Sequence, residues 1–275
     1  MSTAVVLAVL LGAALHASWN VAIRAGADRR RETAMLALCS ALLSGVVLVM
    51  LPLPRGVWLN LALSAALHGV YFVLVAEAYA RGGVALAYPL MRGVAPMLTT
   101  FAAWALLGER LSPVVLLGIA AISVGVALLA RHRRDANERA AVVIALANSV
   151  VIAAYTLNDA VGARASAAPF GYALWVFVLS AVPTLAWLAP ATLRRLPTRA
   201  EALRGSGGAA CSIGSYALAL WAMTQAPVAP VSALRETAML FGLVLARVVL
   251  GERPGVRGWA AAGAIALGAA VLRLA

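Results

Sequence analysis

Apolar segments of about 20 residues recur along this chain with only short polar breaks, and each is long enough for a helix to cross the hydrocarbon core of a bilayer. Ten can be placed, at 3–23, 33–53, 59–80, 84–107, 113–130, 141–161, 169–190, 207–226, 229–249 and 258–273. With their loops they use up all 275 residues, leaving no soluble domain of useful size. Composition agrees: 64% of residues are hydrophobic and 12% charged, whereas soluble domains are roughly half apolar and a quarter charged. The fold class expected is all-α, a polytopic membrane protein.

The first segment does not read as a cleaved secretory signal, because Met1 to Val21 holds no basic residue and His16 and Asn20 interrupt its apolar run. Cys39 and Cys211 lie inside apolar segments and read as small core residues, two cysteines being too few for a disulfide framework. Net charge is +12, but the arginines are spread over loops between spans and line no soluble face, which excludes a nucleic-acid partner.

Those arginines carry orientation instead. Arg24, Arg29, Arg30, Arg31, Arg81, Arg131, Arg133, Arg134, Arg139, Arg194, Arg195, Arg199, Arg204, Arg253 and Arg257 follow odd-numbered spans. Arg55, Arg110, Arg164 and Arg273 lie on the opposite side, and Arg92, Arg235 and Arg247 within spans. Cytoplasmic loops carry the excess of basic residues, so the first side is expected in the cytoplasm and both termini outside.

A duplication fixes the architecture. Leu107-Gly108-Glu109-Arg110 matches Leu250-Gly251-Glu252-Arg253, and at the same offset Arg92 matches Arg235 and Gly125 matches Gly268. Gly69-Val70-Tyr71 against Gly214-Ser215-Tyr216 agrees less strictly, and spans one and six share little beyond Asn20 and Asn158. Each copy, 1–134 and 135–275, has five spans, an odd number, so the second enters the membrane with opposite orientation. The layout expected is two inverted five-helix repeats, common in secondary transporters.

Trp19-Asn20-Val21-Ala22-Ile23-Arg24 at the end of span one, Leu-Gly-Glu-Arg closing spans four and nine, and the glycine-containing spans five and ten resemble the EamA-type branch of the drug/metabolite transporter superfamily. The resemblance covers essentially the whole chain, and its most specific part is the duplicated Leu-Gly-Glu-Arg. It implies a ten-helix carrier of small organic metabolites, often outward, working by alternating access in the inner (plasma) membrane. Members of the family commonly have cytoplasmic termini, opposite to the arginine distribution here. The small multidrug branch relies on an acid in its first span; His16 and Asn20 occupy that span in this chain, which argues against cationic drugs.

Polar residues inside spans are costly and tend to face a cavity or one another. Here they are His16 and Asn20, His68 and Glu77, Arg92, Asn148, Asn158 and Asp159, and Arg235 and Glu236. His16 and Asn20 share a helix face, as do Tyr155 and Asp159. Two readings stand side by side: these faces line an interior, or His, Asn and Tyr hydrogen-bond between helices and hold the bundle together.

Arg92 is the strongest single residue, lying in Ala87-Tyr88-Pro89-Leu90-Met91-Arg92-Gly93 between Pro89 and Pro96, a run suited to bending. Arg235 follows Pro227 and Pro230, just past an interrupted helix start. Interrupted helices at matching positions of two halves point to a carrier's site. Either Arg92 pairs permanently with Glu77 or Asp159, and Arg235 with an acid of the other half, or the two guanidinium groups grip a carboxylate, phosphate or phosphonate. Related sugar-phosphate carriers of the superfamily use basic side chains on the equivalent helices in the second way.

The substrate-binding set expected is therefore Arg92, Arg235, Tyr88, His16, Asn20 and Tyr155, with Glu77, Asp159 and Glu236 as coupling or counter-ion acids. The partner is a small anionic or zwitterionic metabolite such as an amino acid, organic acid, phosphorylated compound or phosphonate, moved with proton or substrate antiport by a monomer or homodimer. No cofactor or metal site is expected. An intramembrane enzyme or a flippase of lipid-linked intermediates is the alternative, but the chain lacks His-Glu-x-x-His and any clustered His/Asp set. Glu109 and Glu252 belong to opposite-facing copies and read as helix-end residues. Ala121-x-x-x-Gly125 and Ala264-x-x-x-Gly268 read as close helix contacts, between the halves or in a dimer.

Overall fold

The computed structural model describes residues 1–24, 28–51, 54–82, 84–129, 136–192, 195–250 and 255–274. They form α1 (Thr3–Arg24), α2 (Arg29–Leu48), α3 (Trp58–Gly82), α4 (Val84–Leu107), α5 (Pro113–Ala127), α6 (Ala136–Ala165), α7 (Pro169–Thr192), α8 (Arg199–Gln225), α9 (Val228–Arg235), α10 (Ala238–Leu250) and α11 (Val256–Leu274), with no strand among the described residues. Eight spans are long and apolar enough to cross a membrane, α9 and α10 together forming one of them, and α5 is a shorter apolar helix. The remaining helix, α8, begins with Arg199, Glu201 and Arg204 and buries a small-residue stripe that includes Gly205, Gly208, Ala209 and Ser215.

Helix ends follow local chemistry. Asp28 accepts from the backbone N–H groups of Arg30 and Arg31 to start α2, Ser112 caps α5 ahead of Pro113, and Thr198 with Glu201 forms a capping box on α8. Gly108 ends α4 at φ +67°, a left-handed conformation that glycine adopts without a Cβ penalty. The Leu-Gly-Glu-Arg motif thus marks a helix terminus in the first copy; Gly251-Glu252-Arg253 of the second lies outside the described residues.

Two expectations about proline are corrected. Helix α4 is not interrupted at Pro89 or Pro96; Thr100 Oγ1 donates to Pro96 O at 2.7 Å, and Ser149 Oγ of α6 donates to Met91 O at 3.1 Å, tying α6 to α4. In the ninth span, Pro227 and Pro230 sit at the cap and first turn of α9, where a missing N–H is tolerated. The interruption comes later, between α9 and α10, where Glu236 N bonds Ala233 O and Thr237 N bonds Leu234 O in tightened turns.

The halves interleave. α3 packs on α6 as α1 packs on α8; α4 lies against α6 as α9 and α10 lie against α1; α2 meets α8 as α7 meets α3. The pairs α2–α7, α5–α11 and α4–α9 join each helix to its own counterpart. Exchanging the repeats maps this list onto itself, as expected of a pseudo-two-fold axis, and five spans per repeat invert the second.

The α5–α11 contact excludes side chains. A Cβ on Gly268 would lie 2.6 Å from Gly118 O, and one on Gly125 would lie 3.0 Å from Ala261 O. These glycines join the two halves by close backbone approach. Leu7, Leu42, Phe101, Leu117 and Val182 remain exposed on the bundle's outside, the arrangement a helix bundle adopts in lipid.

Chain direction divides the bundle into two ends. At the arginine-rich end, Arg31 and Arg195 bond Glu201, and Arg204 bonds Glu32, tying α2 to α8. At the opposite end Arg164 donates to the carbonyls of Met223 and Ala226, and Trp58 of α3 meets Trp175 of α7 edge-on at 5.3 Å between centroids. The largest apolar core cluster, with Val57, Leu61, Tyr172, Leu220, Met223, Val228, Ala229 and Val231, lies mostly toward that second end.

Candidate substrate cavity

A cavity of about 240 Å³ lies among α1, α2, α3, α4, α6, α7, α8 and α9, displaced toward the arginine-rich end. Helical spacing explains its lining. His16 and Asn20 stand four apart on α1, Tyr71, Val75 and Tyr79 four apart on α3, and Tyr88 and Arg92 four apart on α4, each series forming one inward stripe. Tyr155, Phe177, Tyr216 and Arg235 complete a wall of aromatic rings with a few cations. All six residues expected to bind substrate, Arg92, Arg235, Tyr88, His16, Asn20 and Tyr155, line it.

The two repeat-related arginines are not equivalent. Arg92 is 6% exposed and Glu236 3%, and they meet at two points: Nε donates to Oε2 at 2.9 Å, and Nη2 lies 2.6 Å from Oε1. The acid holding Arg92 thus comes from the other half and is neither Glu77 nor Asp159. Arg235 is half-buried and has no carboxylate within ion-pair distance among the described residues. Its guanidinium lies over the Tyr216 ring, 5.6 Å from the centroid, at the C-terminus of α9, where the helix dipole favours a cation.

Repeat arithmetic accounts for the difference. The offset that aligns Arg92 with Arg235 aligns Glu236 with Gly93, so the first repeat has no acid to return to Arg235. Gly93 packs instead on α5, where a Cβ would meet Ser123 O and Ala127 N at 3.0 Å. This signal was present in the sequence in the residue next to each arginine.

Asp159 is fully buried on α6 and accepts four hydrogen bonds: from Ser64 Oγ, Tyr172 Oη and Asn158 Nδ2 at 3.0 Å each, and from Tyr216 Oη at close range. Ser64 also lies 3.3 Å from His68 Nδ1. His68 lines the cavity, stacked on Tyr155 with centroids 4.4 Å apart. Ser64 and Tyr172 were invisible to sequence reading, because a lone hydroxyl in an apolar run has no periodic signature.

Glu77 is not part of this set. It lies two residues from both Val75 and Tyr79, which puts it on the outer side of α3, and it pairs there with Arg81, one turn along the same helix. Asn148 faces α4 rather than the cavity, its Nδ2 donating to Met91 Sδ at 2.8 Å. Asn20 donates to His16 O at 2.8 Å within α1, and His16 meets Trp19 edge-on.

Glu109 acts at a helix end. Its two carboxylate oxygens accept from Val228 N at 2.6 Å and Ala229 N at 3.2 Å, capping α9 where Pro227 offers no side-chain cap. Cys39 and Cys211 are free and half-buried.

Comparison with known proteins agrees with this architecture. The family model described as the EamA-like transporter family matches residues 3–131 and, a second time, residues 139–274. None of the curated proteins compared with the chain matches it. A solved structure, a crystal structure of a protein, is similar with a TM-score of 0.82 and 18% identity, covering 100% of this chain and 98% of that one. At that identity the likeness shows the fold.

Proposed function

The chain belongs to the EamA-like transporter family, and from that premise we propose that it is a secondary-active carrier, an exporter, that binds a small organic anion at Arg235 and moves it by alternating access. The observation that carries this reading is the asymmetry between the two arginines. Arg92 is paired with Glu236, while Arg235, on the cavity wall, lies over the Tyr216 ring at a helix C-terminus and has no carboxylate within ion-pair distance among the described residues. A cation so placed has its planar fork free for a carboxylate or similar group.

The walls narrow the class further. Among the described residues, one guanidinium without an ion-pair partner, set among Trp19, Tyr71, Phe72, Tyr155, Phe177 and Tyr216, suits a single anionic group on an apolar or aromatic body better than a doubly charged phosphate. A zwitterion fits if its ammonium lies against an aromatic face. Tyr88, His16, Asn20 and Tyr155 then position the body, and Arg92 with Glu236 supports the site from behind.

Orientation follows the arginine distribution: with the arginine-rich end cytoplasmic, a cavity displaced toward that end loads from the cytoplasm, as export requires. The Trp58–Trp175 contact and the apolar cluster then close the outer end.

A thermal-shift screen of organic acids, amino acids, sugar phosphates and phosphonates on purified protein, followed by uptake of the hits into proteoliposomes, tests the reading. Stabilisation by aromatic monocarboxylates, lost in Arg235→Ala, is the expected result. Equal binding by Arg235→Ala and the unmodified protein overturns it.

A further inference from the structure

We propose that Asp159 is the proton site of this carrier, loaded from the cavity through His68 and Ser64, and that its charge is felt at Arg235 through Tyr216, so that one proton and one anion are bound together. The proposal rests on Arg235 being the anion site; it replaces proton antiport with joint exit of proton and anion, driven by the anion's own gradient.

The geometry begins with an isolated carboxylate. Asp159 is fully buried, and among the described residues no arginine or histidine lies within ion-pair distance of it. Its four partners are neutral: the hydroxyls of Ser64, Tyr172 and Tyr216 and the amide of Asn158. Such a set suits both states. Four donors stabilise the anion, and a hydroxyl that turns to accept satisfies the acid. A buried carboxylate paired with a fixed cation has no such freedom, which distinguishes Asp159 from Glu236.

A path from the cavity to Asp159 runs through His68 and Ser64. His68 lines the cavity and turns Nδ1 toward Ser64, 2.9 Å from the carbonyl and 3.3 Å from the hydroxyl, while Ser64 Oγ lies 3.0 Å from Asp159 Oδ2. Nε2 has no protein partner among the described residues. A proton from cavity water bonds to Nε2 as the Nδ1 proton passes to Ser64 Oγ and the Ser64 hydroxyl proton passes to Oδ2. His68 ends neutral in its other tautomer, and the carboxylate becomes the acid.

On the other side Asp159 reaches the anion site through one residue. Tyr216 bonds Asp159 with its hydroxyl and carries Arg235 over its ring. The groups facing Asp159 are His68 and Ser64 from α3, Tyr172 from α7 and Tyr216 from α8. Arg235 and Glu236 of the ninth span and Arg92 of α4 act at Tyr155, one turn away on α6. With Asp159 ionised, its negative charge behind Tyr216 opposes a second anion at Arg235; with Asp159 protonated, the opposition is gone. Linkage makes the effect mutual, so anion binding draws a proton onto Asp159.

Infrared spectroscopy of the purified full chain tests the proton site without any substrate. A carboxyl band that titrates with pH, vanishes in Asp159→Asn, and persists in Glu77→Gln is expected; a spectrum in which no titrating carboxyl is lost in Asp159→Asn overturns the proposal. Coupling is read with benzoate as the probe, ionised at both about pH 6 and about pH 8. The unmodified protein should bind it roughly tenfold more tightly at the lower pH, and Asp159→Asn with equal affinity at both. The same pH dependence in both proteins overturns the coupling. Failure of either protein to bind benzoate counts against the anion site at Arg235, and the infrared band then decides Asp159 by itself.

Discussion

Arg92 and Glu236 are joined across the two inverted repeats by a two-point ion pair, 2.9 and 2.6 Å, buried on both sides. The repeat partner of Arg92 has no such acid, because Gly93 stands where Glu236 stands in the second copy. One arginine is thereby held by an acid of the other half, and the other has no carboxylate within ion-pair distance among the described residues. The mutational consequences separate cleanly.

Arg92→Ala leaves Glu236 buried without its cation, which costs about 3–5 kcal/mol. Glu236→Ala strands Arg92 in the same way, while the double variant recovers a large part of the loss. Thermal unfolding of the three variants in detergent, arranged as a double-mutant cycle, measures this; additive losses argue against the pair.

Arg235→Ala is expected to fold with near-normal stability, since among the described residues no carboxylate lies within ion-pair distance of that guanidinium, and to lose binding of the anion. Tyr216→Leu removes the ring beneath Arg235 and weakens binding by about 0.5–2 kcal/mol, the range of a partly desolvated cation–π contact. Tyr216→Phe keeps the ring and should retain binding. Calorimetric titration with a hit from the ligand screen distinguishes the three.

Glu77→Gln serves as the contrast. Its pair with Arg81 is on the outer side of α3 and about half exposed, so the loss in stability stays within about 1 kcal/mol and transport is unchanged. Impaired transport in this variant would place Glu77 in the mechanism after all.

Glu109→Ala uncaps α9 and is expected to cost about 0.5–2 kcal/mol, as loss of a helix cap does. Hydrogen exchange localises the effect: the amides of Val228 and Ala229, which Glu109 bonds directly, should exchange faster while those of α5 do not.

Gly268→Val drives a side chain into Gly118 O, 2.6 Å from the position of its Cβ. Backbone on both helices cannot yield easily, so the variant should lose about 1–3 kcal/mol or fail to reach the membrane folded. Folded yield by size-exclusion chromatography reads the outcome, with Gly263→Ala, which has open space around it, as the control.

Particular residues show how far the sequence could be read. His16, Asn20, Tyr88, Arg92, Tyr155 and Arg235 were legible because a polar or aromatic residue in an apolar helix repeats at helical spacing and must face something. Glu77 shared that logic yet fails it, since one carboxylate near a helix end also satisfies itself with Arg81 one turn away. The prolines misled in the opposite sense. Pro89 and Pro96 sit inside a continuous α4, while the break in the ninth span falls at Glu236-Thr237, which holds no proline.

What the sequence determined by itself is the architecture, for two physical reasons. Apolar segments of bilayer length have one way to satisfy their backbones in lipid, as helices, and a repeat of five spans must return inverted. What only the tertiary structure decided is which cation is free. The sequence distinguishes Arg92 from Arg235 only by their neighbours, Gly93 and Glu236, and it is the meeting of α4 with the ninth span that pairs the acid with Arg92 and not with the arginine beside it. Ion pairing across a pseudo-two-fold axis depends on distances between residues far apart in the chain, and those distances exist only once the halves have interleaved.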